Sequence, residues 1–121
     1  MKLDYDLIKK ILEKIEAESN GQDTVWIKAD KLSGTFTQEQ IDYHLQILED
    51  DYLVKITSRL KGVPGKLAID RLTAEGHRVL EAMVNDTIWN KIKDGLSELG
   101  VDGLKKIPGL AIKFALEGYT S

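Results

Sequence analysis

The chain has no cysteine, and only two histidines, two prolines, two phenylalanines and two tryptophans in 121 residues. Without thiols there is no disulfide framework, no cysteine zinc site and no thiolate nucleophile, and two histidines leave little for a histidine-based metal centre. The redox compartment stays open on this count. Long apolar runs are missing as well: Leu110-Ala111-Ile112 is the longest clean stretch near the C-terminus before Lys113 interrupts it, so no segment can span a bilayer. Residues 1–6 carry Asp4 and Asp6 and lead into an amphipathic pattern instead of an apolar h-region. The expectation is therefore no signal peptide and a cytoplasmic address. Nor is there an excess of positive charge, since 17 Lys and Arg against 20 Asp and Glu leave a net −3. What is present is a soluble globular composition, 42% hydrophobic and 31% charged, at a length that supports one domain with its own core.

Hydrophobic spacing divides the chain into short elements. Leu3, Leu7, Ile8, Ile11, Leu12 and Ile15 line one face of a helix over residues 4–18, with Asp4 able to cap it. The β-branched and aromatic run 24–29, which includes Trp26, predicts a strand, and residues 30–34 hold at most one helical turn. Thr37-Gln38-Glu39-Gln40 is a capping box that opens the clearest helix, with a buried stripe of Ile41, Leu45, Leu48 and Tyr52. Three acids at 49–51 oppose the dipole at its far end. Residues 52–58 and 66–69 flank a Pro64-Gly65 turn and predict a β-hairpin. Thr73 caps the next helix, which runs through Val79, Leu80 and Met83. A helix over 87–99 carries Ile88, Trp89, Ile92, Leu96 and Leu99. A last helical segment over 104–117 contains Pro108, which requires a start near Ile107 or a kink there.

The order helix, strand, helix, hairpin, helix is that of a winged helix, in which the helix before the hairpin is the recognition helix and the hairpin is the wing. The 41–54 stretch, with Leu45, Leu48, Leu53 and Val54, resembles the recognition-helix-to-wing passage of MarR-like regulators. Leu72-Thr73-Ala74-Glu75-Gly76 resembles the motif that follows the wing there. The full second helix of such domains is missing before Thr37. The expected fold is α+β, mostly α: a winged helix-turn-helix with an abbreviated second helix over residues 1–85, and a helical C-terminal extension over 86–121. Across nearly the whole chain, the opening 4–12, Ile41-Asp42-Tyr43-His44-Leu45, Leu72 to His77 and Asn85-Asp86-Thr87-Ile88-Trp89 with Lys91 resemble a family of small bacterial, phage and prophage proteins of unknown function. That resemblance implies a fold and a mobile-element setting, and no activity.

Charge decides what such a fold can bind. Opposite the buried stripe the recognition helix presents Glu39, Asp42, Tyr43, Gln46, Ile47 and Asp50, three of them acids, and no Lys or Arg occurs in the helix. Phosphates repel that face. Between Asp51 and Asp70 there is no acid, and Lys55, Arg59, Lys61 and Lys66 give a local charge of +4. Basic hairpins contact phosphate or the minor groove, although Lys and Arg also protect an edge strand from unwanted pairing. The candidate nucleic-acid contacts are thus Lys55, Arg59, Lys61 and Lys66 on the wing, with Gln38, Tyr43 and Gln46 as the polar helix residues able to reach bases. The alternative is a protein-interaction module that uses the acidic helix face and binds no DNA.

Other constellations are weaker. His44 fits a half-buried flank and His77 a structural position. Acids 49–51 lack a cation-loop pattern, and 62–66 lacks the spacing of a phosphate loop. Trp26 and Trp89 fit the core or a tail-docking surface. No cofactor, metal or catalytic set is expected, and the chain is read as a non-enzyme. The apolar face of Leu104, Ile107, Leu110, Ala111, Phe114 and Ala115 requires cover, either from the domain itself or from a second chain in a homodimer.

Overall fold

The computed structural model describes the backbone of residues 3–59, 65, 67–96 and 100–120, and the side chains among these except at 58, 59, 100–102 and 117–120. Helix α1 spans Tyr5–Glu18, and Asp4 caps it by accepting from the Leu7 N–H at 3.0 Å. Leu7, Ile8, Ile11, Leu12 and Ile15 are all buried, as the spacing requires. Helix α2 is Gln38–Asp50. Its capping box is complete, with Thr37 Oγ1 accepting from the Gln40 N–H at 3.1 Å and Gln40 Oε1 accepting from the Thr37 N–H at 2.8 Å.

His44 joins these two helices and is more deeply placed than the flank position expected of it. It is fully buried. Its Nε2 accepts from the Asp4 N–H at 2.8 Å while Nδ1 lies 2.7 Å from the Gln40 carbonyl. Since Nε2 accepts, the ring is neutral with its proton on Nδ1, which donates to that carbonyl. Tyr5 packs edge-on against Trp89 at 6.4 Å. Burial pushes the Tyr5 phenol up from its ordinary 10.0. Its contribution to stability is therefore complete below pH 10.0 and is lost as the pH rises through the raised value.

Strands β1 (Val54–Arg59) and β2 (Leu67–Leu72) form the hairpin, antiparallel, with irregularities between Lys55 and Ile56 and between Ile56 and Ser58. The strand expected over 24–29 is reduced to one bridge, Val25 to Ile69. The reason lies in α2. The Gln38 side-chain amide accepts from the Ala29 N–H at 2.9 Å and donates to the Ile27 carbonyl at 2.8 Å, taking the bonds a partner strand would take. A single 3₁₀ turn follows at Ala29–Lys31, in place of a second helix.

Tyr52, assigned by spacing to the buried stripe, stands outside it at 75% exposure with φ +61°. The helix has already ended. Tyr52 N–H donates to the Glu49 carbonyl at 2.9 Å and Leu53 N–H to the Leu48 carbonyl at 2.8 Å, a Schellman closure that needs a left-handed residue at 52. Leu48 and Leu53 are both buried beside it.

Helix α3, Ala74–Met83, begins at Thr73, whose hydroxyl accepts from the Gly76 N–H at 3.1 Å and donates to the Tyr52 carbonyl. Helix α4 is Asp86–Leu96, one residue earlier at its start than expected. Its expected end at Leu99 lies outside the described residues. A 3₁₀ segment over Gly100–Lys106 leads into α5, Ile107–Thr120, so Pro108 falls in the first turn, where it removes no needed bond. Helix α5 lies against α3 and α4. Trp89, Ile92, Leu96, Leu104 and Ile107 belong to the same buried cluster as the α1 and α2 stripes, with Leu110, Ala111 and Phe114 packed against it. The architecture is α+β and mostly helical: five helices and a two-stranded antiparallel sheet among the described residues.

Candidate functional site

The hairpin turn returns to α2. Gly65 has φ +76°, the conformation a Pro-Gly turn demands of its glycine, and it is buried. Its N–H donates to Asp42 Oδ2 at 2.8 Å and its carbonyl accepts from Lys28 Nζ at 2.5 Å. Asp42 Oδ1 accepts from Gln38 Nε2 at 3.0 Å, so Lys28 of the 24–29 segment, Gly65 of the turn, and Asp42 and Gln38 of α2 form one chain of bonds. A Cβ at position 65 would lie 2.8 Å from Lys28 Nζ and 3.3 Å from Gln38 Cδ. Glycine serves there for space as well as for φ.

This geometry redistributes the residues singled out from the sequence. Gln38 spends its amide on Ile27, Ala29 and Asp42. Tyr43 and Gln46 stay on the exposed side of α2, Tyr43 edge-on to the His44 ring at 5.5 Å. Lys55 is exposed on β1, directly across from Arg71 of β2. Arg59 ends β1, and its side chain, together with Lys61 and Lys66, lies outside the described residues. Of the three acids on the outward face of α2, Glu39 and Asp50 are exposed, while Asp42 is half-buried and turned to the hairpin. One carboxylate that would repel a phosphate is thus occupied in holding the basic hairpin in place.

Two residues of this site are absent from the sequence-based set. Lys28 bonds the turn and places its ammonium 5.7 Å from the Trp26 ring centroid. Trp26, expected in the core or under the tail, is 41% exposed, whereas Trp89 is 2% exposed. The alternation in Val25-Trp26-Ile27-Lys28 carried the signal: Val25 and Ile27 are buried, Trp26 is exposed and Lys28 is half-buried. His77 is exposed, with Nδ1 3.8 Å from Glu16 Oε2. Among the described residues, no group of three or more His, Cys, Asp or Glu is placed to hold a metal ion, and no helix is long and apolar enough to cross a membrane.

Fold and surface together define a small, mostly helical α+β protein with a tethered basic hairpin. Residues 2–102 match the family described as Hypothetical protein (DUF2513), and the chain belongs to that family. An uncharacterized protein of Haemophilus influenzae (strain Rd) is similar, 30% identical over 111 residues that cover 88% of this chain and 92% of the relative. No solved structure matches the chain at a significant level.

Proposed function

We propose that the protein is an abbreviated winged helix whose basic hairpin makes weak, salt-dependent contacts with nucleic-acid phosphates in a regulatory or accessory role. The observation that carries this is the anchoring of Gly65 by Asp42 and Lys28, which fastens to α2 a hairpin whose sequence carries no acid between Asp51 and Asp70. Tethering lowers the ordering entropy that a loose basic loop loses on binding. Base readout by α2 is a minor part of the proposal, because Gln38 is engaged and Glu39 and Asp50 remain on the face. Tyr43 and Gln46 are the helix residues left to approach bases. A prokaryotic, phage-related setting and a cytoplasmic address belong to the same proposal and are supported by sequence resemblance and composition. No catalytic step is part of it.

Fluorescence anisotropy with a labelled duplex tests it. If Lys55, Arg59, Lys61 and Lys66 each neutralise a phosphate, affinity falls on the order of a hundredfold between about 50 and 200 mM salt. The double variant Lys61→Ala/Lys66→Ala then shows a salt slope smaller by about 2. No binding at low salt, with a basic peptide retained instead, would favour the protein-interaction alternative on the acidic α2 face.

A homodimer through the C-terminal helices is supported by the outer side of α5, where Ile112 and Leu116 are exposed. Sedimentation of the full chain reads a dimer that Ile112→Lys dissociates. A monomer at all accessible concentrations removes the dimer from the proposal.

A further inference from the structure

We propose that Trp26 and Lys28, with Lys55 and Arg71 on the same outward side of the sheet, form a base-stacking site for single-stranded nucleic acid. This extends the hairpin reading above, since the same strands carry the charge.

The placement follows from the ladder. Val25 bridges Ile69, and both are buried, whereas Trp26, next in the chain, is exposed on the opposite, outward side. Val54 pairs with Leu72, both buried, and the next pair, Lys55 with Arg71, therefore projects outward. Asp70, the acid of β2, sits at the irregular position between Ile69 and Arg71. Among the described residues no carboxylate pairs with Lys28, Lys55 or Arg71. The outward side thus carries one large exposed indole and three cations.

A flat indole next to an ammonium matches a nucleotide better than it matches most alternatives. The base offers a π-face to stack, and the adjoining phosphate meets Lys28, whose ammonium has three donors and spends one on Gly65. Duplex bases are already stacked on one another, so the unpaired strand is the form that can use the indole. An acidic peptide would satisfy the cations but leave the indole without a planar partner.

The two tryptophans make the test direct, because Trp89 is buried and Trp26 is the exposed fluorophore. The full chain is titrated at about 20 mM salt with an oligothymidylate of about twelve nucleotides, with an abasic deoxyribose phosphate of equal charge, with a duplex and with a poly-glutamate peptide. The oligothymidylate is expected to quench the exposed indole and to bind at least about tenfold more tightly than the abasic strand. Trp26→Leu keeps an apolar cover over the sheet, as circular dichroism and an unchanged Tm would verify. It is expected to lose about tenfold in affinity for oligothymidylate with no change for the abasic strand. Equal binding of the two strands, affinity indifferent to Trp26→Leu, or peptide binding as tight as the oligothymidylate would overturn the stacking site. If duplex binding then still responds to Lys61→Ala/Lys66→Ala, the hairpin reading stands alone. If oligothymidylate binding needs Trp26 and ignores those lysines, the hairpin reading fails and the stacking site stands. Absence of binding by any polyanion overturns both.

Discussion

The root and the tip of the hairpin are both fastened to α2, but by different kinds of bond. At the root the partners are mostly backbone. Leu53 and Tyr52 close onto Leu48 and Glu49, the Thr73 N–H donates to the Leu53 carbonyl at 3.0 Å, and α3 starts so close that Gly76 touches the same carbonyl. At the tip the partners are side chains: Asp42 and Lys28 hold the two polar groups of Gly65, and Gln38 holds Asp42. Backbone closures tolerate nearly any side chain that fits the required φ and the available space. Side-chain tethers depend on the residue present and on its charge. The root is thus set as part of the fold, whereas the tip has separable fastenings that individual substitutions can release.

The largest expected effect is at the root. A Cβ on Gly76 would lie 2.0 Å from the Leu53 carbonyl oxygen and 3.3 Å from Leu72 Cβ, and the first of these contacts is with backbone that cannot rotate away. Gly76→Ala is expected to destabilise by at least about 3 kcal/mol, read as the shift in a urea midpoint at constant slope. A loss below about 1 kcal/mol would mean that α3 can slide on the 52–53 corner, and the contrast with the tip would weaken.

A smaller and local effect is expected at the tip. Asp42→Ala removes the acceptor of the Gly65 N–H and of one Gln38 donor, at a half-buried position, and is expected to lower global stability by about 1 kcal/mol. Hydrogen exchange at the Gly65 amide should accelerate on the order of tenfold, with the Leu53 and Thr73 amides little changed. Equal acceleration at all three would show that root and tip open together, and would sharpen the comparison into a single cooperative unit.

What was legible in the sequence follows the same division. The capping box of α2, the Asp4 and Thr73 caps, the stripe of α1 and that of α2 as far as Leu48 are local patterns, and each sits where spacing and turn chemistry put it. The 24–29 segment reads as a full strand, yet its partner is the amide of Gln38, eleven residues from Ile27, and no local periodicity reports a side chain acting as a strand. His44 reads as a flank residue on a helical wheel; its burial comes from the start of α1, forty residues away. Of the candidate interface, the basic hairpin was visible as a composition, and Lys55 is where that composition placed it. The Asp42, Lys28 and Gly65 set joins three separate segments, which only the folded chain brings together.

Tyr52 offers the smallest effect and the one whose sign is most informative. Its φ of +61° is forced by the bonds from 52 and 53 back to Glu49 and Leu48, and its ring, 75% exposed, recovers little burial for that conformation. A left-handed residue with a Cβ carries roughly 1–2 kcal/mol of strain, and glycine returns part of it as extra freedom in the unfolded chain, about 0.5–1 kcal/mol. Tyr52→Gly is therefore expected to stabilise by a few tenths to about 1 kcal/mol, and Tyr52→Val to destabilise by at least about 1 kcal/mol, in paired thermal melts. The Thr73 bond is to the carbonyl of residue 52 and survives both changes. If glycine destabilises, the tyrosine ring itself must fasten the root, and the distinction between a backbone-set root and a side-chain-set tip would not hold.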